Sequence, residues 1–460
     1  MKSILILAAC IVLDAWAGIS PVAQWAVEVK CGENASTLAV DPPQRVVVAD
    51  ERHDVLPVFN GKRSGWGQGE RLNGVRAFEC SVRFALEASS VKICSASDGR
   101  ELVRGVDYEI NPEWGSVGWV SKKRDCGAVL VNYAYHQRRI DAVVRRTDGT
   151  IALRKGEPHV CNPAVPSCAS DETLLGTVYV DAKTLQLTED NIFPVEPPAA
   201  NASPIAFNPP KRTLAKLRSG QKVKILAWGD SVTDGFWLKP QERWQEQFAC
   251  WLKNEYPDAN IELISNGWSG RKSENFLREP PGSRHNFKET VLDVKPDLVI
   301  SEFVNDASSK ERIVAETYAG KLLPAFRESG IDWIVLTPHY VRHDWMGLKN
   351  FKNCDNDPRP FVKALREFAQ REGVGLADAS LLWGGLRRRG IPYQTLLVND
   401  INHPNAFGMT LFVEALKPLF RCAENPQAWL RGVPTGWQFG KKMMFSWRFK
   451  YSRRRIKMIK

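Results

Sequence analysis

The chain has 460 residues, 43% hydrophobic and 25% charged, an ordinary globular composition long enough for two or three domains. Beyond the first residues nothing approaches the ~18 continuous apolar residues of a membrane span. The net charge of +11 belongs mostly to Lys441–Lys460, where nine Lys/Arg stand without an acid. The remainder is close to neutral, and no segment reads as a nucleic-acid binding module.

Taken in chain order, residues 1–17 read as a cleaved signal peptide. One lysine precedes an apolar stretch from Ile4 to Leu13, and Ala15-Trp16-Ala17 supplies an A-x-A site. Leu7-Ala8-Ala9-Cys10 also resembles a lipoprotein box, although cutting there would leave a very short apolar region. Export suits the cysteines. Cys31, Cys80, Cys94, Cys126, Cys161 and Cys168 fall in the first half, and Cys250, Cys354 and Cys422 in the second. No pair or Cys/His cluster has zinc-ligand spacing, so disulfides are the expectation, with connectivity open.

Residues 25–190 are broken by turns into short alternating runs such as Arg45–Val48, Val91–Cys94, Ala128–Tyr135, Arg139–Val144 and Thr177–Val180. Asp98-Gly99 and Asp148-Gly149 are strong turn dipeptides. A β-sandwich-like accessory domain is expected. Trp66, Trp114 and Trp119 are either its core or a sugar-stacking face. Residues 191–212, rich in Pro, Ala and Asn, read as a linker.

From 213 to 425 strand and helix alternate. Strands are expected at Val223–Ala227, Ile261–Ser265, Asp297–Phe303, Trp333–Thr337 and Val374–Ala377. Helices are expected at Arg243–Glu255, Arg284–Val294, Glu311–Glu328, Pro360–Glu372 and Asn405–Leu419. The rhythm predicts an α/β domain, a parallel five-stranded sheet covered on both faces. Ligands in such sheets bind beyond the carboxyl ends of the strands. Residues 426–460 form a basic tail, which suits an anionic surface or is simply solvated.

Chemistry-bearing residues stand at those carboxyl ends. Gly229-Asp230-Ser231 follows the first strand, Asn266-Gly267-Trp268-Ser269-Gly270-Arg271 the second, and Val304-Asn305-Asp306 the third. Asp400-Ile401-Asn402-His403-Pro404 precedes the last helix. Ser231 needs a base, and imidazole suits neutral pH. Asp400, three residues before His403, is placed to fix the tautomer from within one turn. The N–H groups of Ser231 and Gly270 and the Asn305 amide are candidate oxyanion donors. Asp230, Asp234 and Asp306 are expected to brace their turns.

These blocks closely resemble the SGNH (GDSL-like) hydrolases: Ser231 in GDSVTDG, Gly270 in NGWSGRKS, Asn305 in FVND, and Asp400/His403 in DINHPN. The resemblance covers about Lys222–Phe420. It implies a flavodoxin-like three-layer α/β/α fold and ester hydrolysis through an acyl-enzyme. No cofactor is expected, and no metal, because no HExxH or other tight ligand spacing exists. Two departures stand out. Phe303 occupies the usual glycine of the third block and should reshape the pocket floor, and the second block offers Gly267 as an alternative to Gly270.

His339, His343 and Trp345, in the loop after the fourth strand, are candidates to line the substrate site or merely to decorate the loop. The expected function is a secreted esterase removing short acyl groups, acetyl in particular, from carbohydrate. Export, the β-rich partner region and the Gly270-Arg271 pair, similar to pectin-directed acetylesterases of the family, favour it. A lipase or lysophospholipase, or a non-catalytic carbohydrate-binding surface protein, are the alternatives. No nucleic-acid partner is expected, and the sequence leaves the oligomeric state open.

Overall fold

The fold is described from a computed structural model covering residues 17–196, 205–350, 352 and 355–421. The greater part of the expected signal segment, the basic tail, Cys10, Cys354 and Cys422 lie outside the described residues.

Residues 222–377 supply five parallel strands: Lys222–Gly229, Asn260–Gly267, Leu298–Glu302, Asp332–Leu336 and Gly375–Ala377. The first lies between the second and third, and the fourth and fifth follow outward. A sixth strand, Ala206–Phe207, pairs antiparallel with Leu376–Ala377 at the edge, so the expected parallel sheet is a mixed six-stranded one. Both faces of the first strand are buried, as a covered parallel sheet requires. Val223, Ile225 and Ala227 pack with Trp244, Phe248 and Phe412 on one side. Leu226 and Trp228, one residue out of phase, pack with Phe276, Phe303 and Phe326 on the other.

The helices Trp244–Glu255, Pro360–Glu372 and Ala406–Leu416 lie where the periodicity puts them. Two expectations change. Between Val314 and Leu322 the chain winds as a π-helix before the α-helix Leu323–Glu328. Pro324 lacks an N–H and its ring would crowd the carbonyl one turn back, which a wider turn relieves. The helix expected at Arg284–Val294 shrinks to Lys288–Leu292, because Asn286 Oδ1 accepts from the Glu289 N–H at 3.0 Å and sets a late start.

The described residues of the N-terminal half are all-β, built into four small antiparallel sheets. Asp148-Gly149 turns the chain between Arg139–Arg146 and Ile151–Arg154, with Gly149 at φ +87°. The segment read as a linker contributes to both halves: Ile192–Pro194 extends an N-terminal sheet, Ala206–Phe207 joins the hydrolase sheet, and Lys211 begins a helix.

The two halves share a core. Ile140, Val165, Tyr179 and Phe193 belong to the same apolar cluster as Trp383, Leu386 and Tyr393. The Asn162 amide donates to the carbonyls of Thr395 (2.8 Å) and Leu397 (2.9 Å), and the Thr177 hydroxyl to that of Gly390 (2.7 Å).

The expected disulfides do not form among the described residues: Cys80, Cys94, Cys126, Cys161, Cys168 and Cys250 are thiols. Two of them serve the junction instead. Cys80 Sγ donates to the Asn399 carbonyl at 2.6 Å and Cys161 Sγ to that of Leu397 at 3.4 Å. Burial pushes both thiols up.

Candidate active site

The nucleophile turn is assembled from its own neighbours. Strand Lys222–Gly229 ends in Asp230, whose Oδ1 caps the helical turn Ser231–Asp234 by accepting from the Val232 N–H at 3.1 Å. Asp230 Oδ2 accepts from the Asn305 N–H at 2.9 Å, tying the first block to the third. Asp234 Oδ2 accepts from the Ser269 hydroxyl at 2.8 Å, tying it to the second. Asp306 is buried and accepts from the Ser273 N–H and hydroxyl and from the Tyr318 hydroxyl. All three aspartates brace loops.

Ser231 Oγ lies 3.1 Å from His403 Nε2. The imidazole stacks on Trp237, ring centres 4.1 Å apart and planes 11° apart, while Trp237 Nε1 donates to the Pro404 carbonyl at 2.8 Å. Burial lowers the His403 pKa to about 4, so the ring is neutral at pH 7 and able to accept a proton. A cleft of about 380 Å³ opens above the pair, lined by Ser231, Gly270, Asn305 and His403 together with Trp66, Glu79, Phe236, Trp345 and Asn402 among others.

Gly270, at φ +73°, lines this cleft. Gly267 does not: a Cβ there would stand 2.3 Å from the Asp234 nitrogen, so its glycine serves close packing. The Asn305 side-chain amide reaches into the cleft wall and donates to the Arg271 carbonyl at 3.3 Å.

Asp400 departs from expectation. Its Oδ1 accepts from Arg138 Nη1 (2.6 Å) and Gln394 Nε2 (2.8 Å), and its Oδ2 from Arg138 Nη2 (3.1 Å) and the Arg83 N–H (3.3 Å). Those four donors occupy the acceptor sites of a carboxylate, and the expected bond to His403 is not made. Among the described residues His403 Nδ1, which is buried, has no hydrogen-bond partner, and Glu79 Oε2 of the N-terminal half lies 3.4 Å from it.

Other expectations divide. Trp345 lines the cleft and is half-exposed. His339 does not: it is fully buried, and its Nε2 bonds the Asn402 carbonyl at 2.7 Å, supporting the His403 loop from behind. His343 is outside the cleft lining. Phe303 turns into the core against Trp228, 4.8 Å between ring centres, leaving the pocket floor untouched. Trp114 and Trp119 are core residues, whereas Trp66 faces the cleft. Glu79 and Trp237 had no sequence signal, since neither stands in a recognisable spacing with Ser231 or His403. Among the described residues no group of three His, Cys, Asp or Glu side chains is arranged to hold a metal ion.

Residues 227–411 match the model of the GDSL-like Lipase/Acylhydrolase family. No curated protein matches the chain. Among solved structures the chain is similar to a two-domain esterase (CEX) active on acetylated mannans, co-crystallized with mannopentaose. The identity is 18% over 45% of this chain and 52% of that one, with a TM-score of 0.34, so the chain spans about half the length of that esterase. It is also similar to Axe2, an acetylxylan esterase from Geobacillus stearothermophilus, at 17% identity over 44% of this chain and 95% of that one, TM-score 0.33.

Proposed function

We propose, from the match of residues 227–411 to the GDSL-like Lipase/Acylhydrolase family model, that the chain is a serine esterase that removes short acyl groups, acetyl above all, from carbohydrate. The observation carrying the mechanism is the 3.1 Å approach of Ser231 Oγ to His403 Nε2 at the base of the cleft. Ser231 Oγ attacks the ester carbonyl carbon while its proton passes to His403 Nε2. The oxyanion is met by the N–H groups of Ser231 and Gly270 and by the Asn305 amide. The protonated imidazole then gives its proton to the leaving sugar oxygen, and water repeats the sequence on the acyl-enzyme.

The lining favours a short acyl group on a polar carrier. Ser269, Asn305, Asn399 and Asn402 interrupt the apolar surface of this cleft, which suits a polar carrier better than a fatty chain. Trp66 and Trp345 offer apolar ring faces at the cleft, the kind of surface on which sugar rings pack. Export belongs to the same reading and rests on residues 1–17; a secreted protein beginning at Gly18 on N-terminal sequencing would support it, and cytosolic retention would remove it.

Turnover of p-nitrophenyl acetate against long-chain p-nitrophenyl esters, with acetate release from acetylated mannan and xylan, tests the proposal. The acetyl ester should be strongly preferred, and Ser231→Ala should remove turnover. A preference for long chains would favour a lipase, and equal rates in wild type and Ser231→Ala would end the serine mechanism.

A further inference from the structure

We propose that Glu79, from the N-terminal β region, is the carboxylate that positions His403, in the place Asp400 was expected to fill. The inference rests on the Ser231–His403 mechanism above and adds the third member of the relay.

Three observations lead to it. First, Asp400 has no acceptor capacity left for the imidazole, because Arg138, Gln394 and the Arg83 N–H fill both of its oxygens. Second, His403 Nδ1 is a buried nitrogen with no hydrogen-bond partner among the described residues, which native proteins seldom tolerate. Third, Glu79 Oε2 is 3.4 Å from that nitrogen. Catalytic hydrogen bonds are often long in unliganded enzymes and shorten in the substrate complex.

The backbone shows how the carboxylate is delivered. Glu79 sits at φ +60°, in the left-handed region that a non-glycine residue enters at a cost. The turn around it is closed by the Ala77 N–H to the Cys80 carbonyl at 2.9 Å. It is fastened to the His403 loop on both sides of Glu79: the Phe78 N–H donates to the Val398 carbonyl at 3.2 Å, and Cys80 Sγ to that of Asn399 at 2.6 Å. A strained residue held between two such anchors, its side chain beside the general base, is placed by the fold. Burial raises the Glu79 carboxyl above its ordinary value, and the nearby Arg71 guanidinium works against that rise.

With Nδ1–H donated to Glu79, the Nε2 lone pair faces Ser231. When Nε2 takes the serine proton, the Glu79 anion stabilises the imidazolium and itself stays ionised. The N-terminal region is then part of the reaction machinery, and Glu79 a positioning residue within it.

The test is Glu79→Gln in the full chain, read as kcat, KM and the acid limb of kcat/KM on p-nitrophenyl acetate. Loss of the anion should lower kcat by about 10²–10⁴-fold with little change in KM, and should move the acid limb to lower pH because the imidazolium loses its partner. Glu79→Asp should recover part of kcat. A wild-type kcat with an unmoved limb in Glu79→Gln overturns the proposal. If Glu79→Gln does not fold, Glu79→Ala with added formate replaces it: activity rising with formate is expected, and no rise overturns the idea. Ser231→Ala separates the two levels, since its full activity would remove the mechanism itself, whereas its inactivity beside an unaffected Glu79→Gln removes only the role of Glu79.

Discussion

Arg138 and Asp400 form a buried two-bond ion pair, 2.6 Å and 3.1 Å, between the N-terminal sheets and the loop that carries His403. Arg138 Nε also donates to Asp181 at 2.9 Å, so the guanidinium is fixed from both ends. Removing one partner of such a pair strands the other charge away from water. Arg138→Met should therefore cost about 3–5 kcal/mol of stability by urea denaturation. Arg138→Met combined with Asp400→Leu should recover much of that loss, because the fully buried Asp400 carboxylate is no longer left without its cation and only the partly exposed Asp181 loses a partner. A double variant as unstable as the sum of the two single ones would show that the pair is not the source of the effect.

Asn305 offers a sharper functional reading. Its N–H is committed to Asp230, while its side-chain amide faces the cleft. As an oxyanion donor the amide acts on the transition state and not on the bound ester. Asn305→Ala should thus lower kcat by about 10²–10³-fold and leave KM within a few-fold. A rise in KM at constant kcat would instead make Asn305 a substrate-binding residue.

The alternation of strand and helix was legible because the central strands are buried on both faces and so appear as apolar runs, three of the five strands running into Gly, Asp or Asn at their carboxyl ends. The carboxyl-end rule then located Ser231, Gly270, Asn305 and His403 at one cleft. What local spacing could not convey was which carboxylate meets which cation. Asp400 stands three residues from His403, yet its partner Arg138 lies 262 positions away. Glu79 is equally remote, in a region that reads only as a β domain. His339 follows a strand end as a site residue would, but its ring points inward to the Asn402 carbonyl. Long-range pairing at a domain junction leaves no periodic trace.

The two glycines of the second block should separate cleanly. An alanine at 267 would meet the Asp234 backbone at 2.3 Å and 2.6 Å, so Gly267→Ala should cost about 1–3 kcal/mol by overpacking. At 270 a Cβ meets nothing within 4 Å, and only the φ of +73° resists it, a strain of about 1–2 kcal/mol. Gly270→Ala should fold and lose kcat as its N–H is displaced from the oxyanion position. Thermal midpoints and kcat measured together decide between them. If Gly267→Ala is the folded, inactive variant, the oxyanion assignment passes to Gly267.

Beneath the nucleophile lie three buried carboxyls, Asp230, Glu302 and Asp306. Neither oxygen of Glu302 has a hydrogen-bond partner among the described residues, and burial together with the nearby Asp230 and Asp306 raises its pKa well above the ordinary value. Burial likewise pushes Asp306 up to about 6. A carboxyl with a raised folded-state pKa keeps its proton where the unfolded chain has released it. Stability from such a group is complete below about pH 4 and is lost as pH rises toward the folded-state value. For Glu302 the loss approaches about 1.4 kcal/mol per pH unit while the folded form stays protonated. Glu302→Gln carries no proton to lose, so its stability relative to wild type should improve steadily between pH 5 and pH 8, measured by urea denaturation at each pH. A difference that stays constant across that range would mean that Glu302 is ionised in the native protein.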